Sequence, residues 1–319
     1  MRFCAMPKLS LLAGNVFSGV PLDRVDHLRA DAAWIEARIN DPASRFVAVW
    51  NQQSVVFDGA APRAALGDRV SLDGLIDANS PLALLGIAPE AGGIAHFAVD
   101  VSHLPQEALT ERYVGGALMD LRQSVQLVPA QEAAILAYAR GLMYWHQKNG
   151  FCAACGHPSR SRRAGHERTC TNSDCGMTHF PRTDSAVIVL VHDGEDCLLC
   201  RQSHWPTGMH STLAGFLEPG ESLEECVARE IFEESGVRVA DVRYHSSQPW
   251  PFPASIMVGF MAKAASREIN ADEKELEYAR WYSRDWLHNV EDSDEFRMPG
   301  KYSIARRLIG DWIDGRFPV

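Results

Sequence analysis

The sequence predicts an α+β protein, and three observations carry that reading. Through about residue 125, short apolar runs alternate with turns, which marks a β-rich α+β domain. Two closely spaced cysteine pairs follow between residues 152 and 175. The remaining half alternates strand-like runs with two helical stretches, the pattern of a helix–sheet–helix sandwich. At 319 residues, with 46% hydrophobic and 23% charged residues, the chain has room for two or three domains with cores of their own.

In the first domain, residues 1–128, Phe46-Val47-Ala48-Val49-Trp50 and Ser54-Val55-Val56-Phe57 flank Asn51-Gln52-Gln53 and read as a hairpin. Ile94 to Val99 reads as a further strand. No catalytic motif stands here, and the sequence assigns this domain no role. Residues 129–150 form a linker helix: Pro129 suits its first turn, and Ile135, Leu136, Ala139, Leu142, Met143 and His146 fall on one buried stripe. His146 reads as a packed or hydrogen-bonded residue.

Residues 151–182 hold Cys152, Cys155, Cys170 and Cys175, each pair followed by a glycine. Two such knuckles resemble a zinc ribbon, and four thiolates make a closed structural Zn²⁺ site with no position left for substrate. The second pair is wider than the usual spacing, so His166 and His179 are the alternative ligands. Cys197 and Cys200 imitate a metal pair but lie in a strand-like run, where positions three apart face opposite ways. With Cys4 and Cys226 they read as packing residues. Arg160, Arg162, Arg163 and Arg168 crowd the ribbon; a solvated loop is the simpler reading and a phosphate-contacting patch the functional one.

Residues 183–319 open on Ala186 to Val191, an apolar run suited to a strand buried on both faces. Further strands are expected near 197–201, 211–214, 242–246, 255–262 and 279–282, with helices over about 222–234 and 303–314. Glu218-Pro219-Gly220 and Gly236 punctuate the first of these helices. At about 100° per residue, Glu230, Glu233 and Glu234 share one helix sector. Three like charges so placed call for a cation among them, and hard carboxylate oxygens suit Mg²⁺ or Mn²⁺. A solvated acidic face is the bland alternative; Leu223, Cys226 and Val227 on the same sector argue against it.

Gly215, Glu221 and Arg229-Glu230-Ile231-Phe232-Glu233-Glu234-Ser235-Gly236-Val237 match the Nudix pattern at every fixed position, so the chain resembles a Nudix hydrolase. That resemblance implies the same sandwich fold. Ten residues on, Ser247-Gln248-Pro249-Trp250-Pro251-Phe252-Pro253-Ala254-Ser255 is a proline-stiffened segment that by itself could be a rigid loop covering the core. It resembles the marker of the NADH pyrophosphatase family, whose order of β-rich domain, ribbon, Nudix box and marker this chain follows along most of its length. The family resemblance implies a homodimer that hydrolyses the pyrophosphate of NADH to AMP and reduced nicotinamide mononucleotide, and relatives that remove NAD caps from RNA.

By the same resemblance, Glu230, Glu233, Glu234 and Glu275 are the catalytic metal ligands, with Glu277 competing with Glu275. Phe180 and Phe216 match base-stacking positions, Phe180 reaching a second subunit's site, although Tyr is frequent where Phe180 stands. Gln248, Ser255 and the main chain around Ala305 match substrate contacts, and Trp250 and Phe252 offer flat faces. Arg229 is expected to hold one of the glutamates. ADP-ribose, a dinucleoside polyphosphate or a nucleoside triphosphate are rival substrates, and a zinc-ribbon RNA-binding or scaffold protein with a vestigial site is the rival outside the enzymes.

The net charge of −10 argues against nucleic-acid binding through a diffuse basic surface, though not against a phosphate-bearing substrate met by metal. No run approaches the length of a membrane span, and the first residues, broken by Pro7 and Lys8, make a poor signal peptide. A cytoplasmic protein with reduced thiols is the expectation.

Overall fold

The computed structural model describes residues 14–77, 80–89 and 93–317; Cys4 lies outside them. The chain divides into two compact units, one of residues 1–183 with Trp250–Ala254 and one of 184–249 with 255–319.

The first unit is built on a seven-stranded sheet. After helix α1 (Ala32–Ile39) come β1 (Arg45–Trp50), β2 (Gln53–Phe57), β3 (Arg63–Ala64), β4 (Leu66–Gly67), β5 (Leu82–Ala88) and β6 (Ile94–Asp100). Helix α2 (Gln106–Arg112), β7 (Gly116–Asp120) and helices α3 (Leu121–Ser124) and α4 (Ala130–Lys148) complete it. The expected hairpin is β1–β2, and its tight turn at Asn51 and Gln52 takes φ of 46° and 67°, the left-handed backbone such turns demand. Helix α4 packs on β1, β5 and β6 and buries the predicted stripe from Ile135 to His146. Phe46 and Phe97 stack at 5.2 Å in the core beneath.

The ribbon belongs to the same unit. Its sheet has β8 (Ser159–Arg162), β9 (Glu167–Cys170) and β10 (Thr178–His179) in the order β10-β9-β8. His146 bonds the Gly165 carbonyl through Nε2 at 2.8 Å, so that nitrogen carries the proton and Nδ1 accepts from Arg168 at 2.9 Å. His166 bonds the Leu84 carbonyl at 2.7 Å. Gly165 presses on β5 so closely that a Cβ there would lie 2.4 Å from that of Ala83.

The second unit has β11 (Asp184–His192), β12 (Asp196–Arg201), β13 (Leu213–Phe216), helix α5 (Leu223–Ser235), β14 (Val239–Trp250) and β15 (Ser255–Ala264). They are followed by β16 (Tyr278–Ser283), α6 (Arg284–Asn289) and α7 (Ile304–Ile313). The sheet runs β14-β15-β11-β12-β16, with β13 also on β11. Val187, Val189 and Val191 pack toward α5 with Cys226, Val227 and Ile231, while Ile188 and Leu190 pack toward α7 with Leu308 and Trp312. This is the predicted sandwich, and it explains why the β11 run is apolar without alternation. Cys200 lies in the α5-side core and Cys197 in the α7-side core, so the apparent metal pair is split by the sheet.

The two sheets repeat one topology. β1 pairs antiparallel with β2 and β4 and parallel with β6, and β2 pairs antiparallel with β7. β11 makes the same pairings with β12, β13 and β15, and β12 with β16. β5 lies beside β6 as β14 lies beside β15, and α4 follows β7 as α7 follows β16 after a short helix. Where the second unit carries α5, the described residues of the first hold only the turn Val70–Leu72, which bears no carboxylate.

Candidate functional site

Helix α5 is built by its local sequence. Ser222 caps the Glu225 amide at 3.2 Å while the Glu225 carboxylate accepts from the Ser222 amide at 2.8 Å, a complete capping box. Gly236, at φ 73°, ends the helix and returns its N–H to the Phe232 carbonyl. Cys226, Val227 and Ile231 are buried, whereas Ala228 and Phe232 face solvent, so the helix is not covered all round.

Arg229 is the hub of the site. Its Nε and Nη2 donate to both oxygens of Glu221 at 2.5 and 2.8 Å, a bidentate pair. Nη1 donates to Glu230 at 2.9 Å and Glu233 at 3.1 Å, and Nη2 also reaches the Phe216 carbonyl at 3.0 Å. One guanidinium thus ties the loop from Phe216 to Glu221 onto α5 and aims two glutamates. The Arg229 hydrogen bond holds the Glu221 carboxyl down at about 2. Sequence reading assigned Glu221 no role; its fixed place in the pattern was the signal available.

Glu230 lies over β13, at Gly215: a Cβ on that glycine would stand 1.9 Å from the Glu230 Cδ. Burial raises the Glu230 carboxyl. Glu234 is 4% exposed, and among the described residues no side chain or amide donates to its carboxylate. Burial first, then repulsion by Glu230, Glu275 and Glu233, pushes it up to about 8. A buried, unpartnered carboxylate beside three others is a donor set for a hard divalent cation, which would supply the missing positive charge. The glutamates do not draw together as the cysteines do, since among the described residues the four cysteines are the only group of three or more His, Cys, Asp or Glu whose ligand atoms lie within 4.8 Å of one another.

After burial, the causes that raise Glu230 and Glu234 include the charge of Glu275. Its loop is tied to the end of α5 by the Asp272 amide on the Glu234 carbonyl, at 3.0 Å. Glu277 is instead paired with Arg201 at 2.9 Å. Gln248 is fully buried; its Nε2 donates to the Tyr302 carbonyl at 2.7 Å and its Oε1 accepts from the Ile304 amide at 2.8 Å. It therefore clamps the start of α7, where the Ala305 amide bonds the Ser303 hydroxyl at 3.1 Å. Ser255 is buried at the head of β15, opposite Asp184.

Phe216 is 60% exposed and Phe180, in the first unit, 64%. Trp250 and Phe252 pack within the first unit: Phe17 meets both edge-on at 6.3 and 6.0 Å, and the guanidiniums of Arg122 and Arg140 lie 3.7 and 4.9 Å over the Phe252 ring. Arg140 also bonds the Pro251 carbonyl at 2.7 Å. The flat faces expected of these two rings are thus engaged by protein.

In the ribbon, the sulfurs of Cys152 and Cys175 stand 3.8 Å apart and those of Cys155 and Cys170 3.4 Å. A tetrahedron of Zn–S bonds near 2.3 Å sets sulfurs about 3.8 Å apart, so the four fit Zn²⁺. Of the substitute ligands, His166 is engaged elsewhere, on the Leu84 carbonyl, while His179 stands 3.4 Å from the Cys152 sulfur, a hydrogen-bonding neighbour of the set.

Comparison with known proteins adds the lineage. Residues 181–301 match the family described as NUDIX domain, and residues 43–145 match the NADH pyrophosphatase-like rudimentary NUDIX domain. The second match agrees with the repeated topology. The chain is 33% identical to the NAD-capped RNA hydrolase NUDT12 of Homo sapiens over 94% of its length and 73% of that protein's. It is 36% identical to the NAD-capped RNA hydrolase NudC of Mycobacterium bovis, over 93% of this chain and 94% of the relative. Nudix hydrolase 19, chloroplastic, of Arabidopsis thaliana is 44% identical over 55% of this chain and 42% of its own.

Proposed function

The chain belongs to the Nudix hydrolases of the NADH pyrophosphatase type, and from that membership we propose that it hydrolyses the pyrophosphate of NAD(H), free and as the 5′ cap of RNA. Water adds across the P–O–P bridge, its oxygen bonding one phosphorus as the bridging oxygen leaves with the other, to give NMN(H) and AMP or an RNA 5′-monophosphate. The observation that carries the reading is the buried, unpartnered Glu234 on the same helix as the arginine-braced Glu230 and Glu233. A set retained in that state argues against a vestigial site.

Glu230, Glu233, Glu234 and Glu275 would hold Mg²⁺ or Mn²⁺, which neutralises the diphosphate oxygens and lowers the pKa of a bound water. The chain's own residues supply position. Arg229 keeps Glu230 and Glu233 aimed. The exposed Phe216 ring offers a stacking face for a base. Gln248 holds the Tyr302–Ala305 turn in place for substrate rather than spending its amide on substrate. Phe180, exposed on the first unit, serves the site of a second copy in a homodimer. No helix among the described residues is long and apolar enough to cross a membrane, and a cytoplasmic site of action is proposed with it.

The test is purified protein with Mg²⁺ or Mn²⁺, given NADH and NAD-capped RNA in competition, with products identified by mass. NMN(H) with AMP or 5′-monophosphate RNA is expected. A higher kcat/KM on ADP-ribose or a nucleoside triphosphate than on either would overturn the assignment.

A further inference from the structure

The ribbon sheet has two faces with different fates. Ser159 is buried, and Arg168, across from Ser161, turns to His146 and Ser159, so that side is packed. The other side follows from register. Phe151 pairs with Pro158, and Pro158, Arg160 and Arg162 are alternate residues, so all four side chains stand on one face. Thr169 and Glu167, opposite Arg160 and Arg162, and Thr178, opposite Thr169, continue it.

The four arginines of this region therefore separate into two kinds. Arg163 is paired with Asp26 at 3.1 Å and Glu167 at 3.2 Å, and Arg168 is bonded to Ser159 and His146. Arg160 and Arg162 are exposed and make no hydrogen bond or ion pair among the described residues. Phe151 beside them is 68% exposed. The acid on this face, Glu167, shares the charge of Arg163 with Asp26, and the two free arginines outnumber it. Residues 151–182 hold five arginines against two acids in a chain of net charge −10, so an anionic polymer repelled elsewhere meets attraction here.

We infer that this face, with Phe151, Arg160 and Arg162 at its centre, binds the single-stranded RNA body that follows the NAD cap. An exposed aromatic ring stacks a base, and arginines on alternate strand positions meet backbone phosphates, with threonine hydroxyls beside them; this is the chemistry of a sequence-tolerant single-strand platform. Two unpaired arginines without the ring would be only a solvated strand. The inference rests on the NAD-capped RNA reading, and it makes the ribbon a discriminator between capped RNA and free NADH.

The test uses the full-length protein, loaded with zinc, and an uncapped single-stranded RNA of about 20 nucleotides followed by fluorescence anisotropy across salt. Arg160→Glu with Arg162→Glu is expected to lower the slope of log affinity against log salt by about 1.4. Phe151→Ala is expected to weaken binding about fivefold or more. Both variants keep the wild-type kcat/KM on NADH and lose it on NAD-capped RNA through KM. Unchanged RNA affinity and slope overturn the inference, as does a wild-type protein that does not bind RNA at low salt. A shift of either variant from dimer to monomer in sedimentation, with RNA affinity unchanged, assigns the face to a second copy and also overturns it. Loss of RNA binding in a protein that hydrolyses neither substrate leaves the ribbon assignment standing and removes the proposed activity.

Discussion

Gly215→Ala isolates the position of one carboxylate from everything else in the site. Gly215 sits in β13 opposite Val187, and an added Cβ would lie 1.9 Å from the Glu230 Cδ and 2.2 Å from both its oxygens. Ordinary contact begins near 3.4 Å, so the carboxylate must retreat by about 1.5 Å. That displacement breaks its 2.9 Å bond to Arg229 and moves a hard ligand off any cation held with Glu234. A misplacement of about 1 Å at a catalytic group costs on the order of a hundredfold, about 2.7 kcal/mol. Folding should survive: the strand backbone suits alanine, and the loss of one bond of a partly buried ion pair, about 1 to 2 kcal/mol, is offset in part by the smaller unfolded-state entropy of alanine. The assay is kcat/KM on NADH with Mn²⁺, alongside Mn²⁺ stoichiometry and a thermal melt. A fall of about a hundredfold or more with Tm within a few degrees is expected. Activity within about threefold of wild type, with the fold intact, would refute the claim that the glycine exists to let Glu230 approach β13.

Glu275→Gln should cut kcat at least tenfold while Glu277→Gln, which loses only its partly exposed bond to Arg201, changes kcat less than twofold; the reverse order would return Glu277 to the site. Cys175→Ser should reduce bound zinc, measured by atomic emission, and lower the Tm, since the four sulfurs form the ligand group. Retention of full zinc content with His179 as the new ligand would contradict that geometry. Burial first, and then the charge of Arg168 at Nδ1, hold His146 down at about 4 against 6.5 unperturbed, while its bond to the Gly165 carbonyl pulls the other way. The depressed pKa means its contribution is complete above pH 6.5 and is lost as pH falls toward 4, up to about 3 kcal/mol. Melts of His146→Gln and wild type should converge on acidification over that window, and a constant difference between them would exclude the linkage.

Much of the fold was legible because it is local. The β1–β2 hairpin, the α4 stripe, the two-sided β11 run and the capped α5 are each decided by periodicity and turn residues within a dozen or so positions. α1, α2, α3 and α6 went unread: they are too short for a helical repeat to stand out, although Asp31, Asp120 and Ser283 cap three of them. β14 runs from Val239 to Trp250, past its expected end near residue 246.

By itself the sequence determined the kind of chemistry: three carboxylates on one helix sector, four thiols at knuckle spacing, and a stop–helix–stop frame around the acids. Those follow from helix and strand periods, which are properties of spacing alone. Tertiary structure decided which charges meet. It paired Glu221 with Arg229 across a loop, tied the loop before Glu275 to the end of α5 through the Asp272 amide while giving Glu277 to Arg201, and turned Gln248 into a clamp. It also showed the first sheet to repeat the second without its acidic helix, a likeness held in strand pairings and invisible in residue identity. The same is true of the ribbon, where four neighbouring arginines look alike until register and packing commit Arg163 and Arg168 inward and leave Arg160 and Arg162 facing solvent beside Phe151.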